Sequence, residues 1–185
     1  METPETTQQD TSPRGFSPTW MAAGAIALIV AVLLVYAIVA KPSEPPQPGS
    51  PVPEFEFTAL DGSTMSLGAR RGEIVVVNFF ASWCNPCRQE AADLEQVWLA
   101  YQDQGVQFYG IAYKDADSKA QAFLDEFGVS YPSTVDTSNR TARDYGVTGV
   151  PETFVIDREG LLVHHFLGPI TRSQLSREIE RALSQ

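Results

Sequence analysis

Ile74-Val75-Val76-Val77-Asn78-Phe79-Phe80 is an apolar run broken only by Asn78, and four residues beyond it stand the only two cysteines of the chain, in Cys84-Asn85-Pro86-Cys87. A short run rich in β-branched and aromatic residues predicts a buried strand, and the residues that follow predict a helix. The dithiol therefore falls where a strand turns into a helix. There the free backbone N–H groups and the positive dipole end stabilise a thiolate, the form that attacks disulfides. Two thiols two residues apart let the second expel whatever the first has captured. The feature points to thiol–disulfide exchange on an α/β scaffold.

Other uses of the pair are weaker. A zinc site takes four protein ligands, or three and a water, and the chain offers no further cysteine. His164 and His165 are adjacent in an apparent strand, where neighbours point to opposite faces, so they read as surface or half-buried strand residues and no metal is expected. A structural disulfide would close a very short loop and constrain little of the unfolded chain.

The rest of the 185-residue chain divides by composition. Residues 1–19 are polar and rich in Thr, Pro and Gln, and are expected to be disordered. Trp20 to Ala40 gives 21 residues without a charge, long enough as a helix to cross roughly 30 Å of hydrocarbon. A cleavable signal peptide fits less well, because the leader is acidic and Ile38-Val39-Ala40 is a poor small-x-small cleavage site. A buried core helix would show a polar face, which the run lacks. The expectation is a single-pass anchor in the cytoplasmic membrane, N-terminus inside, with the remainder on the extracytoplasmic (periplasmic) face, where a dedicated dithiol suits an oxidising compartment. Residues 41–53 form a linker with six prolines between Pro42 and Pro53, expected as a polyproline II spacer reaching up to roughly 40 Å.

Residues 54–185 are the expected catalytic domain, ample for a single core. It carries 19 acidic and 11 basic residues, which argues against nucleic-acid binding. No Gly-rich phosphate loop, internal repeat or nucleophile elbow appears. Residues 55–59 and 64–67 predict a hairpin about Asp61-Gly62. After the 74–80 strand, a helix is expected over 86–104 with Leu94, Val97, Trp98 and Tyr101 on one face, then a strand over 106–113. Strand, helix, strand in that order predicts parallel pairing and a right-handed crossover. A second helix is expected over 118–127 with Ala122, Phe123 and Phe127 inward. A hairpin follows (153–156 and 161–166 about 157–160), then a closing helix over 171–183 with Leu175, Ile179 and Leu183 inward. This is the plan of the thioredoxin fold: a central mixed sheet flanked by helices, here with an N-terminal β-hairpin extension.

Residues 77–88 (VNFFASWCNPCR) resemble the active-site segment of thioredoxin-like proteins, and residues 146–157 (GVTGVPETFVID) resemble the segment that carries their cis-proline. With Tyr113-Lys114-Asp115 and the single anchor, residues 54–183 are similar to the membrane-tethered branch used in cytochrome c maturation, the CcmG/DsbE and ResA type. The resemblance implies that Cys84 is the nucleophile and Cys87 the resolving thiol. It also implies that the Val150–Pro151 peptide is cis, leaving the preceding backbone free to pair with a substrate strand. Pro86 suits the first helical turn, and Trp83 stands where it could shield the thiols and contact partners.

Thioredoxins typically carry a buried aspartate where this chain has Asn78, so Asn78 cannot accept a proton from the resolving thiol. Glu90 and Glu152 match acidic residues of the branch. Glu90 is expected to add negative charge near the thiols and relay a proton, partly offset by Arg88; its plainer reading is a first-turn glutamate on the helix dipole. Glu152 either borders the substrate groove or is a solvated loop carboxylate.

The implied activity is reduction of protein disulfides, with the haem-attachment cysteine pair of apocytochrome c, or another disulfide-bearing maturation protein, as substrate. With no flavin or nicotinamide motif, no cofactor is expected, and a membrane thiol reductase must supply electrons to the monomer. Alternatives are a general extracytoplasmic reductase, a peroxide-linked thioredoxin and, in another class, a redox-inert or copper-handling module. Copper handlers of this fold commonly use Cys-x-x-x-Cys and a distant histidine, which the two-residue spacing here does not match.

Overall fold

All seven side chains of β3 (Ile74–Phe80) are buried, which requires cover on both faces of the sheet it occupies. Because successive side chains alternate, Val75, Val77 and Phe79 join one apolar cluster with Phe55, Met65, Tyr145 and Phe154. Ile74 and Val76 join a second with Leu94, Val97, Leu175 and Ile179. This computed structural model describes residues 18–39 and 45–185, with side chains described for 24–36 and 45–185. Most of the expected disordered tail, and residues 40–44 of the anchor and linker, lie outside the described residues.

The chain divides into two units, Met1–Lys41 and Pro42–Gln185. In the first, α1 (Pro18–Val39) is a 22-residue helix whose apolar side chains from Ile26 to Tyr36 are exposed. It includes residues 20–39 of the expected 20–40 span, yet among the described residues no helix is long and apolar enough to cross a membrane.

In the second unit, β1 (Glu56–Thr58) and β2 (Thr64–Ser66) form the expected hairpin as a separate two-stranded sheet. Beyond β3 come α2 (Asn85–Tyr101), β4 (Val106–Tyr113), α3 (Asp117–Phe127), β5 (Ser133–Asp136), α4 (Arg140–Asp144), β6 (Glu152–Ile156), β7 (Leu162–Leu167) and α5 (Arg172–Leu183). The five-stranded sheet has the order β5-β4-β3-β6-β7. The β3–β4 and β4–β5 pairs are parallel and the β3–β6 and β6–β7 pairs antiparallel. This is a thioredoxin fold.

Three details differ from expectation. β5 and α4 are additions, each too short for its periodicity to stand out. The Asp136 carboxylate holds them together by accepting the N–H groups of Arg140 and Ala142 at 3.1 and 2.9 Å. On α3 the buried face is Ala120, Phe123 and Leu124, whereas Ala122 is exposed. The proline-rich linker is not free up to residue 53. A turn at Gln47–Ser50, with Gly49 at φ 82°, lays the chain along the start of β7. There Gly49 N–H donates to the Leu162 carbonyl (2.7 Å), Leu162 N–H to that of Ser50 (2.9 Å) and Val52 N–H to that of Gly160 (3.2 Å). Pro51, which has no N–H to give, is tolerated at this sheet edge. Buried Val52 completes the attachment, so the ordered domain begins before residue 54.

Candidate active site

β3 delivers the chain to Phe80 and Ala81, and a turn through Ser82-Trp83 leads into α2. Cys84 is the N-cap of that helix in extended conformation, its sulfur accepting the Cys87 N–H at 3.1 Å. An N-cap sulfur thus takes the place of the usual side-chain oxygen. Pro86 lies in the first turn, where its missing N–H needs no partner. Cys84 and Cys87 are joined in a disulfide and both are buried, Cys84 4 % and Cys87 1 % exposed. The Val150–Pro151 peptide is cis, and the Val150 carbonyl oxygen lies 3.4 Å from Cys84 Sγ. Around the sulfurs, Trp83 (58 % exposed), Asn85 and Pro86 face solvent and Val150 is half-buried.

The turn before Cys84 is held by the Tyr113-Lys114-Asp115 segment. Asp115 accepts the Ser82 N–H at 2.6 Å and its hydroxyl at 3.0 Å. The Trp83 indole N–H donates to the Lys114 carbonyl at 3.2 Å, with Lys114 in the left-handed region at φ 49°. The sequence marked this tripeptide by resemblance alone; its hold on the active-site turn depends on the parallel β3–β4 pairing that puts both strand ends side by side.

Glu90 lies in the second turn of α2, not the first, and is 2 % exposed. Its carboxylate accepts from Asn78 Nδ2 at 3.1 Å and from the Ile170 N–H at 2.9 Å, and Asn78 also donates to Thr153 Oγ1 at 2.9 Å. Burial pushes the Glu90 carboxyl up to about 7, against the opposing pull of those two hydrogen bonds. Burial thus favours the neutral acid and opposes the local negative charge expected from sequence, while leaving the proton relay open to it. Arg88 does not offset it: its guanidinium pairs with Glu126 and lies over the Phe127 ring.

Glu152 is neither solvated nor open to a groove. It is buried at the start of β6, one oxygen accepting the N–H groups of Thr148 (3.0 Å) and Gly149 (3.1 Å) and the other 2.8 Å from His165 Nε2. Burial alone would raise its pKa, but His165 and the two N–H donors outweigh burial and lower it. His165 is the partner that sequence reasoning left unassigned. Counting outward along the 153–166 hairpin would have placed it near Glu152, but the shift in register between Val155 and Ile156 disturbs that count. Among the described residues no His, Cys, Asp and Glu cluster could hold a metal ion.

A disulfide at a helix N-terminus, beside a cis-proline and a buried acid on a thioredoxin fold, defines a thiol–disulfide oxidoreductase. The chain belongs to the AhpC/TSA family, whose model it matches over residues 48–165. It is 36 % identical over 160 residues to the thiol:disulfide interchange protein DsbE of Allochromatium vinosum, covering 84 % of this chain and 87 % of that one. To the thiol:disulfide interchange protein HelX of Rhodobacter capsulatus it is 35 % identical over 136 residues, covering 73 % and 75 %. Among solved structures, a thiol:disulfide interchange protein of the thioredoxin family from Chlorobium tepidum TLS superposes with a TM-score of 0.68 at 32 % identity, covering 76 % of this chain and 99 % of that one.

Proposed function

We propose that this oxidoreductase is a membrane-tethered reductant acting on the haem-attachment cysteine pair of apocytochrome c, or on another disulfide-bearing maturation protein, with a membrane thiol reductase as its electron donor. The uncharged 20–40 run supports the tether, with the domain on the extracytoplasmic face. The observation that carries the reductant reading is the dithiol's immediate surroundings. No histidine stands between Cys84 and Cys87 to stabilise the thiolate, and the nearby acid, Glu90, is buried on the helix that carries both sulfurs.

In the forward reaction the Cys84 thiolate attacks one sulfur of the substrate disulfide, and the other substrate sulfur leaves as a thiolate that takes up a proton. Cys87 then gives up its proton and attacks the Cys84 sulfur, releasing the second substrate thiolate. The substrate gains two electrons and two protons, and the Cys84–Cys87 disulfide forms. Glu90, three residues beyond Cys87 on the same helical face and titrating near 7, is suited to take the Cys87 proton. A Cys87→Ser chain in intact membranes should hold its partner as a mixed disulfide on Cys84. Recovery of an apocytochrome carrying a Cys-x-x-Cys pair supports the reading, and adducts that form on Cys87 of a Cys84→Ser chain instead would overturn it.

A further inference from the structure

We propose that His165 is a positioning residue for this redox site, acting through Glu152 on the segment that presents the Val150 carbonyl to Cys84 and to a bound polypeptide. The proposal rests on the disulfide-reductase reading above.

β7 lies at the edge of the sheet, far in sequence from the cysteines, yet it and the glycine that follows it grip the 148–151 segment twice. Gly168 N–H donates to the Pro151 carbonyl at 2.9 Å. Three residues earlier, His165 meets Glu152 at 2.8 Å, and Glu152 in turn holds the N–H groups of Thr148 and Gly149. Val150 sits between these two attachments with its carbonyl 3.4 Å from Cys84 Sγ. The His165 ring has little freedom of its own. It stacks on Phe154, with ring centroids 4.0 Å apart and planes 13° apart, and the two residues are cross-strand partners.

The energetics favour a coupled arrangement. A buried carboxylate is costly unless it is paired and its oxygens are satisfied, and the two backbone donors occupy only one oxygen of Glu152. His165 supplies the donor for the other. Without it, an under-satisfied buried carboxylate is driven to protonate or to draw in water, and either response loosens its hold on the Thr148 and Gly149 N–H groups. Displacement of that segment moves the Val150 carbonyl, which a polypeptide docked over the sulfur needs in place.

The donor and the shape of the side chain can be separated. His165→Leu keeps an apolar body against Phe154 and removes the donor, whereas His165→Gln restores an N–H within reach of Glu152. With the full chain in detergent micelles and insulin as the protein disulfide, His165→Leu should raise KM about tenfold, the scale of one lost hydrogen bond to a charged group. Its kcat should stay within about twofold, and His165→Gln should return KM most of the way. A wild-type KM in His165→Leu, or equal loss in both variants, would overturn the proposal. A second readout needs no turnover: the Thr148, Gly149 and Val150 amide proton resonances should shift in His165→Leu and recover in His165→Gln. Unchanged resonances would overturn the proposal even if insulin proved a poor substrate, whereas failure of the wild-type chain to reduce any protein disulfide would count against the reductase reading instead.

Discussion

The burial of Glu90 makes the stability of the domain depend on pH in a direction opposite to that of an ordinary paired carboxylate. Its carboxyl titrates near 7 in the folded state, against 4.5 when solvated, chiefly because burial disfavours the charged form. A folded pKa raised above the unfolded value contributes stability that is fully present below pH 4.5 and is lost as pH rises towards and through 7. The full loss above both values is about 3 kcal/mol, most of it falling between pH 5 and pH 8. Glu90→Gln abolishes that ionisation. Its amide oxygen can still accept the Ile170 N–H, and a flipped Asn78 amide can accept from the new NH2 group. Urea unfolding of the Pro42–Gln185 unit, which has its own apolar cores, should be measured with the disulfide intact at pH 5 and pH 8. Wild type should lose roughly 2–3 kcal/mol more than Glu90→Gln across that interval, every other titrating group cancelling in the comparison. Equal losses in the two proteins would show that Glu90 ionises freely in the fold and is not the proton acceptor argued here.

Two further predictions concern the thiols and the tether. In the reduced protein Cys84, the N-cap of α2, should react with iodoacetamide at least about tenfold faster than Cys87 near neutral pH, as read by mass spectrometry of the labelled peptides; preferential labelling of Cys87 would reverse their roles. The full-length chain should stay in the membrane fraction after a carbonate wash, and a soluble product beginning near Lys41 would identify the 20–40 run as a cleaved signal.

What could be read from the sequence follows the strength of each local signal. β4 spans the expected residues, and β3 likewise, because continuous apolar runs that are buried on both faces leave little doubt about either type or limits. α2 starts one residue before expectation, and its last expected residues form a separate 3-10 turn ending at left-handed Gly105. β5 was hidden because Ser133 and Thr134 are polar yet buried, Ser133 Oγ satisfied locally by the Tyr131 carbonyl and Thr134 Oγ1 across the fold by the Thr58 carbonyl. The docked linker was hidden for a related reason: proline content predicts extension but not whether an edge strand will capture it. At the site, residues 77–88 and 146–157 carried the resemblance on which the roles of Cys84, Cys87 and Pro151 were assigned. The partners of Glu90 and of the Ser82 turn were not readable, since Ile170 lies 80 residues beyond Glu90 and Asp115 lies 33 beyond Ser82. Such contacts exist only once the sheet order has brought the strand ends together.

The direction of electron flow is the claim on which the functional account turns. Strong oxidants of this fold owe their potential to an unusually stabilised reduced thiolate. Here Asn85 and Pro86 separate the cysteines, Arg88 is engaged by Glu126, and the neighbouring acid is buried, so little besides the helix terminus stabilises that thiolate. Equilibrating the protein with glutathione buffers of defined ratio, and quantifying the dithiol by trapping, measures its standard potential directly. The account predicts a value more negative than about −200 mV, on the reducing side of the range spanned by this fold, whereas a value near about −120 mV would mark a strong oxidant and contradict it.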